Sequence, residues 1–547
     1  MRERNEFILA DMIQAKAEKQ PDLDVLTFEH LSLDDGASED EIRTYADLQT
    51  NGNRLAADLI ARGMAPGDRF GLMMRNHPEY VESMIAASIS GCVLVPIDPR
   101  TRGEKLVYML RNAGCQGVIC ADYCLAEVAR ARLDVSDIKW ILGLETGETA
   151  QAVALDSEDA VESLRDALNR PADTLEPRLK DASDPLQIIY TSGTTGDPKG
   201  LVFQNFRFGF SSMLGVIFGY QENERPYTGL SLTHGNAQAV TLAPALGAGL
   251  RAIFSRRFTK SKLFDVCRAY GGTTFSQLGG MATAIYSEPE RADDADNPVR
   301  LLVSAGMPPA IWSAFEKRFG LDIYEWYGAV EGGFAFKPVG EGPVGSFGKP
   351  GADLEMKILD ENDVECPPGV TGEISSRPVD RKQKAEVEYY DNPEASEKKT
   401  HGGWLRSGDM GHRDEDGWFY FDFRAGGGLR HNGDFVSPSF VEKVIAEHPQ
   451  VSDVFVYGVE AASGAPGEKD VVAAVVAQQP EEFTPSSVFA ACRVGLESNF
   501  VPTYLQVVDE IPKTASEKPQ IRFLLDAFTA NPDTVFTEQS AASSARE

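Results

Sequence analysis

Tyr190-Thr191-Ser192-Gly193-Thr194-Thr195-Gly196-Asp197-Pro198-Lys199-Gly200 follows directly on the apolar run Leu186-Gln187-Ile188-Ile189. Thr191, Ser192, Thr194 and Thr195 bring hydroxyls, Gly193, Gly196 and Gly200 bring a permissive backbone, and Lys199 brings a mobile positive charge. Glycines let the chain approach an anion and aim several N–H groups at one place, so the stretch reads as a phosphate cradle. An arbitrary tract of this composition is a flexible surface loop; here the order of residues weighs more than the composition. It is not a Walker A loop, which needs Gly-Lys followed at once by Ser or Thr, because Lys199 is followed by Gly200 and Leu201.

The rest of the chain sets the frame for that loop. Its 547 residues are 42% hydrophobic and 25% charged, as expected of a globular chain with a large core. With 53 Lys and Arg against 83 Asp and Glu the formal charge is −30. Such a surface repels nucleic acid and anionic lipid, so neither is expected as a partner. An anionic ligand must meet a local exception, and the tract with Arg256, Arg257, Lys260 and Lys262 is one. Seven cysteines, an odd number, indicate reduced thiols and a cytoplasmic protein. Cys115, Cys120 and Cys124 lack the two-residue spacing of a zinc knuckle. No long apolar segment follows Met1, and no run approaches about 18 apolar residues, so neither a signal peptide nor a membrane span is expected.

Short apolar runs alternate with helical patterns. Helices are expected over Phe7 to Lys19, Thr44 to Arg62, Glu79 to Ile89 and Phe203 to Tyr220, and strands over Arg69 to Met74 and Cys92 to Ile97. That alternation is the pattern of an α/β sheet. Further along, Leu230-Ser231-Leu232-Thr233-His234-Gly235-Asn236 reads as a strand ending in a histidine, and Leu301 to Pro308 as a strand ending in Ser304-Ala305-Gly306. The second of these is equally a plain β-to-α connection. Glycines 426 to 428 permit large backbone changes and mark a hinge.

The opening loop resembles the signature loop of the adenylate-forming (ANL) superfamily: acyl-CoA synthetases, luciferases and the adenylation domains of peptide synthetases. Tyr327-Gly328-Ala329-Val330-Glu331, Gly372-Glu373-Ile374, Tyr389 to Ala395, Trp404 to Asp409, Arg424 and Ile511 to Lys518 fall in the order of that family's other landmarks. Within it the chain is most similar to bacterial crotonobetaine/carnitine-CoA ligases. The resemblance implies an α/β large N-terminal domain with several sheets over residues 1–423, a hinge at 424–428, and a small α+β C-terminal domain over 429–530. Residues 531–547, polar and rich in Ala and Ser, are expected to be a disordered tail.

The resemblance further implies an ATP-dependent acid–CoA ligase. A carboxylic acid is activated as an acyl-adenylate with release of pyrophosphate, and the thiol of coenzyme A then takes the acyl group and releases AMP. Thr191 to Gly196 and Lys199 would grip the ATP phosphates, and Glu331 would hold Mg²⁺. Ser304, Ala305, Gly306, Tyr327, Gly328, Asp409 and Arg424 would bind adenine and ribose. His234, Thr191, Glu331 and Lys518 would carry the chemistry. His234, Asn236, Gln238, Gln277, Gly279, Gly280 and Ala329 would line the acyl pocket, and Arg256, Arg257 and Gly433 would meet coenzyme A. The pocket favours a bulky or polar-substituted acid, unless neighbouring Phe and Met fill it. Val330, Gly427 and Glu517 depart from the family's usual residues. Two other readings stay open: an adenylating enzyme with a different acceptor, and a degenerate nucleotide-binding homologue. A homodimer is left open as well.

Overall fold

The structure is a computed structural model. It describes residues 3–544 except 34–38, 149–151, 156–160, 192–196, 287, 361, 381, 384, 425–428, 433, 437, 466–467 and 513–520. The chain divides into two units. The first comprises Met1–Pro99, Met109–Tyr190 and Gly200–Phe423, and the second Arg100–Tyr108, Thr191–Lys199 and Arg424–Glu547.

Two large sheets build the first unit. One has nine strands, and its inner ones, Asp24–Glu29, Ala252–Ser255, Pro226–Thr228, Thr274–Leu278, Leu301–Ala305 and Asp322–Ala329, run parallel. The other has seven strands and includes Arg69–Met73, Val93–Pro96 and Cys115–Ala121, again parallel. A smaller antiparallel sheet runs from Leu354–Leu359 through Gly372–Pro378 to Leu405–Arg413 and Phe419–Arg424. Strands buried on both faces are read from continuous apolar runs, as at Leu301-Leu302-Val303.

Two helices show how the sequence sets this core. Tyr45–Ala61 starts where Thr44 and Asp47 cap one another, the Thr44 side chain accepting from the Asp47 amide and the Asp47 carboxylate from the Thr44 amide. Its Gly52 lies so close to the helix Pro78–Ser90 that a Cβ would stand 2.4 Å from Ile85 Cγ2. Every residue of Pro78–Ser90 is buried, including Glu79 and Glu82, which therefore need a cation. Arg43 supplies it, with Nε 2.7 Å from Glu82 Oε1. Burial and the Glu82 charge push Glu79 up to about 7 against the pull of Arg43. All seven cysteines are buried and none is in a disulfide, and burial pushes the Cys115 and Cys492 thiols up to about 12.

The second unit centres on a sheet of Val451–Glu460, Lys469–Ala477, Tyr504–Val507 and Val535–Phe536, with Pro438–Ala446 and Pro485–Gly495 among its helices. Val441, Ile445, Val471, Val488 and Leu505 are among the residues of its core. Arg100–Tyr108 belongs here although it comes early in the chain: the Lys105 ammonium faces the rings of Phe440 and Phe500 at 5.7 and 5.0 Å. The expectation of a disordered tail is corrected. Val535–Phe536 is the fourth strand of the sheet, and the helix Glu538–Ser544 is tied down by Arg493, whose Nε donates to Glu538 Oε1 at 3.0 Å. Ala541 of that helix is 1% exposed. Among the described residues no helix is long and apolar enough to cross a membrane.

Candidate functional site

The parallel strands of the nine-stranded sheet deliver the candidate residues at their carboxyl ends, the edge where open α/β sheets bind ligands. Ser304 and Ala305 end one strand, Gln277 and Leu278 its neighbour, and Tyr327 to Ala329 the next. Gly279 and Gly280 open the helix Gly279–Tyr286. The strand expected to end in His234 stops at Thr228, and His234 is an exposed residue of the turn beyond it. That turn is held from below. Asn76 donates from Nδ2 to the Leu230 carbonyl at 2.8 Å and accepts from the Leu232 amide at 2.8 Å, while the Tyr80 hydroxyl donates to the Leu232 carbonyl at 3.0 Å. The chain then enters a π-helix, Ala237–Leu242, a rare form found frequently at functional sites. Gly235 approaches Val330, where a Cβ would stand 3.6 Å from a methyl group. The histidine turn and the Tyr327-to-Glu331 segment thus meet.

Around Glu331 lies a small cleft lined in part by Tyr327, Ala329, Lys399 and Ser407. The Tyr327 hydroxyl donates to Asp409 Oδ2 at 2.7 Å, and its ring stacks on Phe347 with centroids 4.4 Å apart. The Asp409 amide donates to Ser407 Oγ at 2.9 Å. Gly408, at φ +80°, makes the turn ahead of it, and its amide donates to Glu373 Oε1. Glu331 is 8% exposed and accepts at Oε1 from the Tyr389 hydroxyl at 2.8 Å. Arg207 donates to the neighbouring Val330 carbonyl at 2.7 Å. Lys399 donates from Nζ to the Ser407 carbonyl at 2.8 Å. Among the described residues no group of three or more His, Cys, Asp or Glu could hold a metal. One anchored carboxylate suits a cation such as Mg²⁺, which keeps waters and takes phosphate oxygens.

The phosphate loop is flanked by the strands Pro185–Thr191 and Lys199–Gln204, and Thr191 Oγ1 donates to the Lys199 carbonyl at 3.4 Å. Ser192, Gly193, Thr194, Thr195 and Gly196 lie outside the described residues, as do the hinge glycines, Gly433 and Lys518. Arg424 ends the strand Phe419–Arg424.

Three expectations need correction. Arg256 is 4% exposed and committed to carboxylates: it contacts Glu41, donates to Glu148 Oε1 at 2.6 Å and to the Asn76 carbonyl at 2.6 Å. It holds the fold and is not available to coenzyme A, whereas Arg257 is exposed. Gln238 and Gln277 are buried and spent on neighbours. Gln238 exchanges hydrogen bonds with Gln187, and Gln277 donates to Ser304 Oγ at 2.7 Å and accepts from the Ala282 amide at 3.1 Å. Asn236 differs: it is 4% exposed, and neither amide atom has a partner among the described residues.

Reading the sequence missed Tyr389 and Glu325. Tyr389 was part of a landmark, but its contact with Glu331 spans 58 positions. Glu325 precedes the Tyr327-Gly328 pair by two residues, and that alternation on a strand, which keeps both on one face, was the only available signal.

Comparison with known proteins shows the family of the chain. The AMP-binding enzyme family matches residues 13–378, and the AMP-binding enzyme C-terminal domain matches residues 441–518. A steroid-22-oyl-CoA synthetase of Rhodococcus jostii (strain RHA1) is 29% identical over 484 residues, 85% of this chain and 83% of the relative. A crotonobetaine/carnitine–CoA ligase of Salmonella paratyphi B (strain ATCC BAA-1250 / SPB7) is 26% identical, over 87% of this chain and 91% of the relative. Among solved structures, a double mutant of o-succinylbenzoate CoA synthetase from Bacillus subtilis superposes with a TM-score of 0.76 at 21% identity, covering 94% of this chain and 98% of that one.

Proposed function

The chain belongs to the AMP-binding enzyme family and is an AMP-forming acid–CoA ligase, and from that premise we propose how its own residues divide the work. A carboxylate resists attack by a thiol because its charge repels the nucleophile and oxide is a poor leaving group. Joining it to the α-phosphate of ATP removes both obstacles. That step brings two anions together, so positive charge between them is the main lever.

The observation that carries this reading is the cleft lined by Tyr327 and Glu331, whose Tyr327 hydroxyl is bonded to Asp409. Asp409 is placed to accept from the ribose hydroxyls, and the ring of Tyr327 to lie along the base that the Ala305-Gly306 turn supports. Glu331, steadied by Tyr389, fits Mg²⁺, which supplies charge for the phosphates when bound. The hydroxyls of the Thr191-to-Gly196 loop and Lys199 take the departing pyrophosphate. His234, exposed and next in sequence to Gly235, which approaches Val330, orients the acid carboxylate. Lys518 adds the charge that lowers the adenylation barrier. At about 4 Å and an effective dielectric near 20, one ammonium supplies roughly 4 kcal/mol, or about a thousandfold in rate.

The acid carries a hydrogen-bonding substituent. A buried amide with both atoms unmatched costs about 1–3 kcal/mol per group, and a polar group on the acid would relieve that cost at Asn236. Pyrophosphate release across a panel of carboxylic acids, with and without coenzyme A, tests the whole reading. The expected result is acid-dependent pyrophosphate release, with AMP release that needs coenzyme A. Release of AMP at the same rate without coenzyme A would point to another acceptor.

A further inference from the structure

One row of polar side chains crosses four neighbouring strands at the nucleotide edge of the nine-stranded sheet. Gln277 stands opposite Ser304, Ser304 opposite Glu325, and Glu325 opposite Lys337. All four are buried. Gln277 Nε2 donates to Ser304 Oγ at 2.7 Å, and Ser304, opposite Glu325 on the next strand, favours the ionised form of its carboxyl. What that carboxylate does next is unusual for the middle of a sheet: it turns onto the backbone beyond the adjacent strand. The Gly306 amide donates to Oε1 at 2.5 Å, and the Met307 amide to Oε1 at 3.1 Å and Oε2 at 3.3 Å. Gly306, at φ +95°, is the left-handed residue that lets two consecutive N–H groups converge on one anion.

From this geometry we propose that Glu325 is a positioning residue for the base of the nucleotide, shaping the Ala305-to-Met307 turn so that its backbone presents a fixed flat surface. The proposal rests on the reading of that turn as the adenine site. Glu325 itself does not touch the ligand. Its two backbone bonds are charge-assisted when it is ionised, and such bonds are about twice as strong as neutral ones. Burial pushes the carboxyl up to about 7, against the hydrogen bonds from Ser304, Gly306 and Met307 and the charge of Lys337. The charged groups around it are few among the described residues. Lys337 faces it from the next strand, with Nζ 4.1 Å from the Trp312 ring centroid, and Glu316 of the helix Trp312–Phe319 acts on Lys337. As the pH falls through 7 the carboxylate gains a proton, and the turn loses the charged half of its anchor.

Uncharged adenosine, used as an inhibitor competitive with ATP, reads the base site without the titration of phosphate. For wild type, adenosine affinity should rise several-fold from pH 6 to pH 8. Glu325→Gln, which can still accept from both amides, should stay within about threefold of wild type at pH 6 and lose the pH dependence. Glu325→Ala should weaken adenosine and raise the KM for ATP tenfold or more, leaving the KM for the acid within twofold. If Glu325→Ala does not fold, the pH profile of Glu325→Gln decides. An unchanged pH profile in Glu325→Gln, or equal losses toward ATP and acid in Glu325→Ala, overturns the proposal while leaving the adenylation reading standing. Wild type that makes acyl-adenylate yet is not inhibited by adenosine defeats the assignment of the turn, and the proposal with it.

Discussion

The Tyr327 hydroxyl donates to Oδ2 of Asp409 at 2.7 Å, joining the end of a strand in the nine-stranded sheet to a strand of the small antiparallel sheet 82 positions later. The bond fixes one carboxylate oxygen of Asp409, the residue proposed to hold the ribose. Tyr327→Phe keeps the stack on Phe347 and removes only the bond, a loss of about 1 kcal/mol. The KM for ATP should rise roughly fivefold with the acid KM unchanged, measured by pyrophosphate release. A change confined to the acid KM would contradict the assignment.

Glu331 and Lys518 should fail differently. Glu331→Gln should slow pyrophosphate release by about a hundredfold or more, in line with the loss of one group that stabilises transition-state charge, and Tyr389→Phe by less, with a higher Mg²⁺ requirement. Lys518→Ala should lose adenylation far more than thioester formation from preformed acyl-adenylate. Equal loss in both half-reactions, assayed separately, would refute the role given to Lys518.

Arg256 and Arg257 are sequence neighbours with opposite fates. Arg256→Glu leaves Glu41 and Glu148 without their cation and adds a buried charge, a cost of about 3–5 kcal/mol, so the protein should be recovered poorly folded by circular dichroism. Arg257→Glu should fold normally. If Arg257 meets the nucleotide end of coenzyme A, the variant raises that KM and leaves the one for ATP alone.

Glu79 sets a pH dependence of stability. Its folded-state value is near 7, above the ordinary value of 4.5, because it is buried beside Glu82. Between those two values the folded protein holds a proton that the unfolded chain has released, so the contribution of Glu79 falls as pH rises from about 4.5 to 7. Glu79→Gln should therefore raise the thermal midpoint by about 2–4 °C at pH 8 and leave it unchanged near pH 5. Calorimetry at the two pH values gives the sign directly.

Asn236→Leu should not destabilise the protein, since it replaces an unmatched amide with an apolar group of similar size. It should abolish any preference for acids bearing a hydroxyl or carbonyl over their methylene counterparts, measured as the ratio of kcat/KM for matched pairs. A loss equal for both members of a pair would mean that Asn236 supports the turn and does not read the acid.

Local signals carried much of the architecture. The mutual cap of Thr44 and Asp47, the apolar run at Leu301, and the proline at the start of Pro485–Gly495 each announce an element within a few residues. Long-range constraints did not show. The single helix expected from Phe203 to Tyr220 is the end of a strand followed by two short helices, Asn205–Ser211 and Leu214–Ile217. Gly209 there lies against the Phe7 backbone, where a Cβ would stand 2.4 Å from its Cα, and Gly219 turns the chain at φ +73°. Composition could not reveal that Arg256 is enclosed, because its carboxylate partners lie 215 and 108 positions away. The tail looked disordered because its sequence is polar; the contact of Glu538 with Arg493 and the burial of Ala541 order it. For the site, motif order named the residues around Tyr327, Glu331 and Asp409, but not the carboxylate at Glu325 that braces the turn beside them.

The seven enclosed cysteines have a practical meaning for work on this enzyme. A thiol reagent needs an accessible thiolate, and every cysteine of the folded chain is buried. In a reaction mixture the sulfhydryl that such a reagent finds is that of coenzyme A. Its disappearance can then be followed by withdrawing samples into the reagent, with little background from native protein. A slow rise in reactive thiol during storage would, by the same logic, count unfolded molecules.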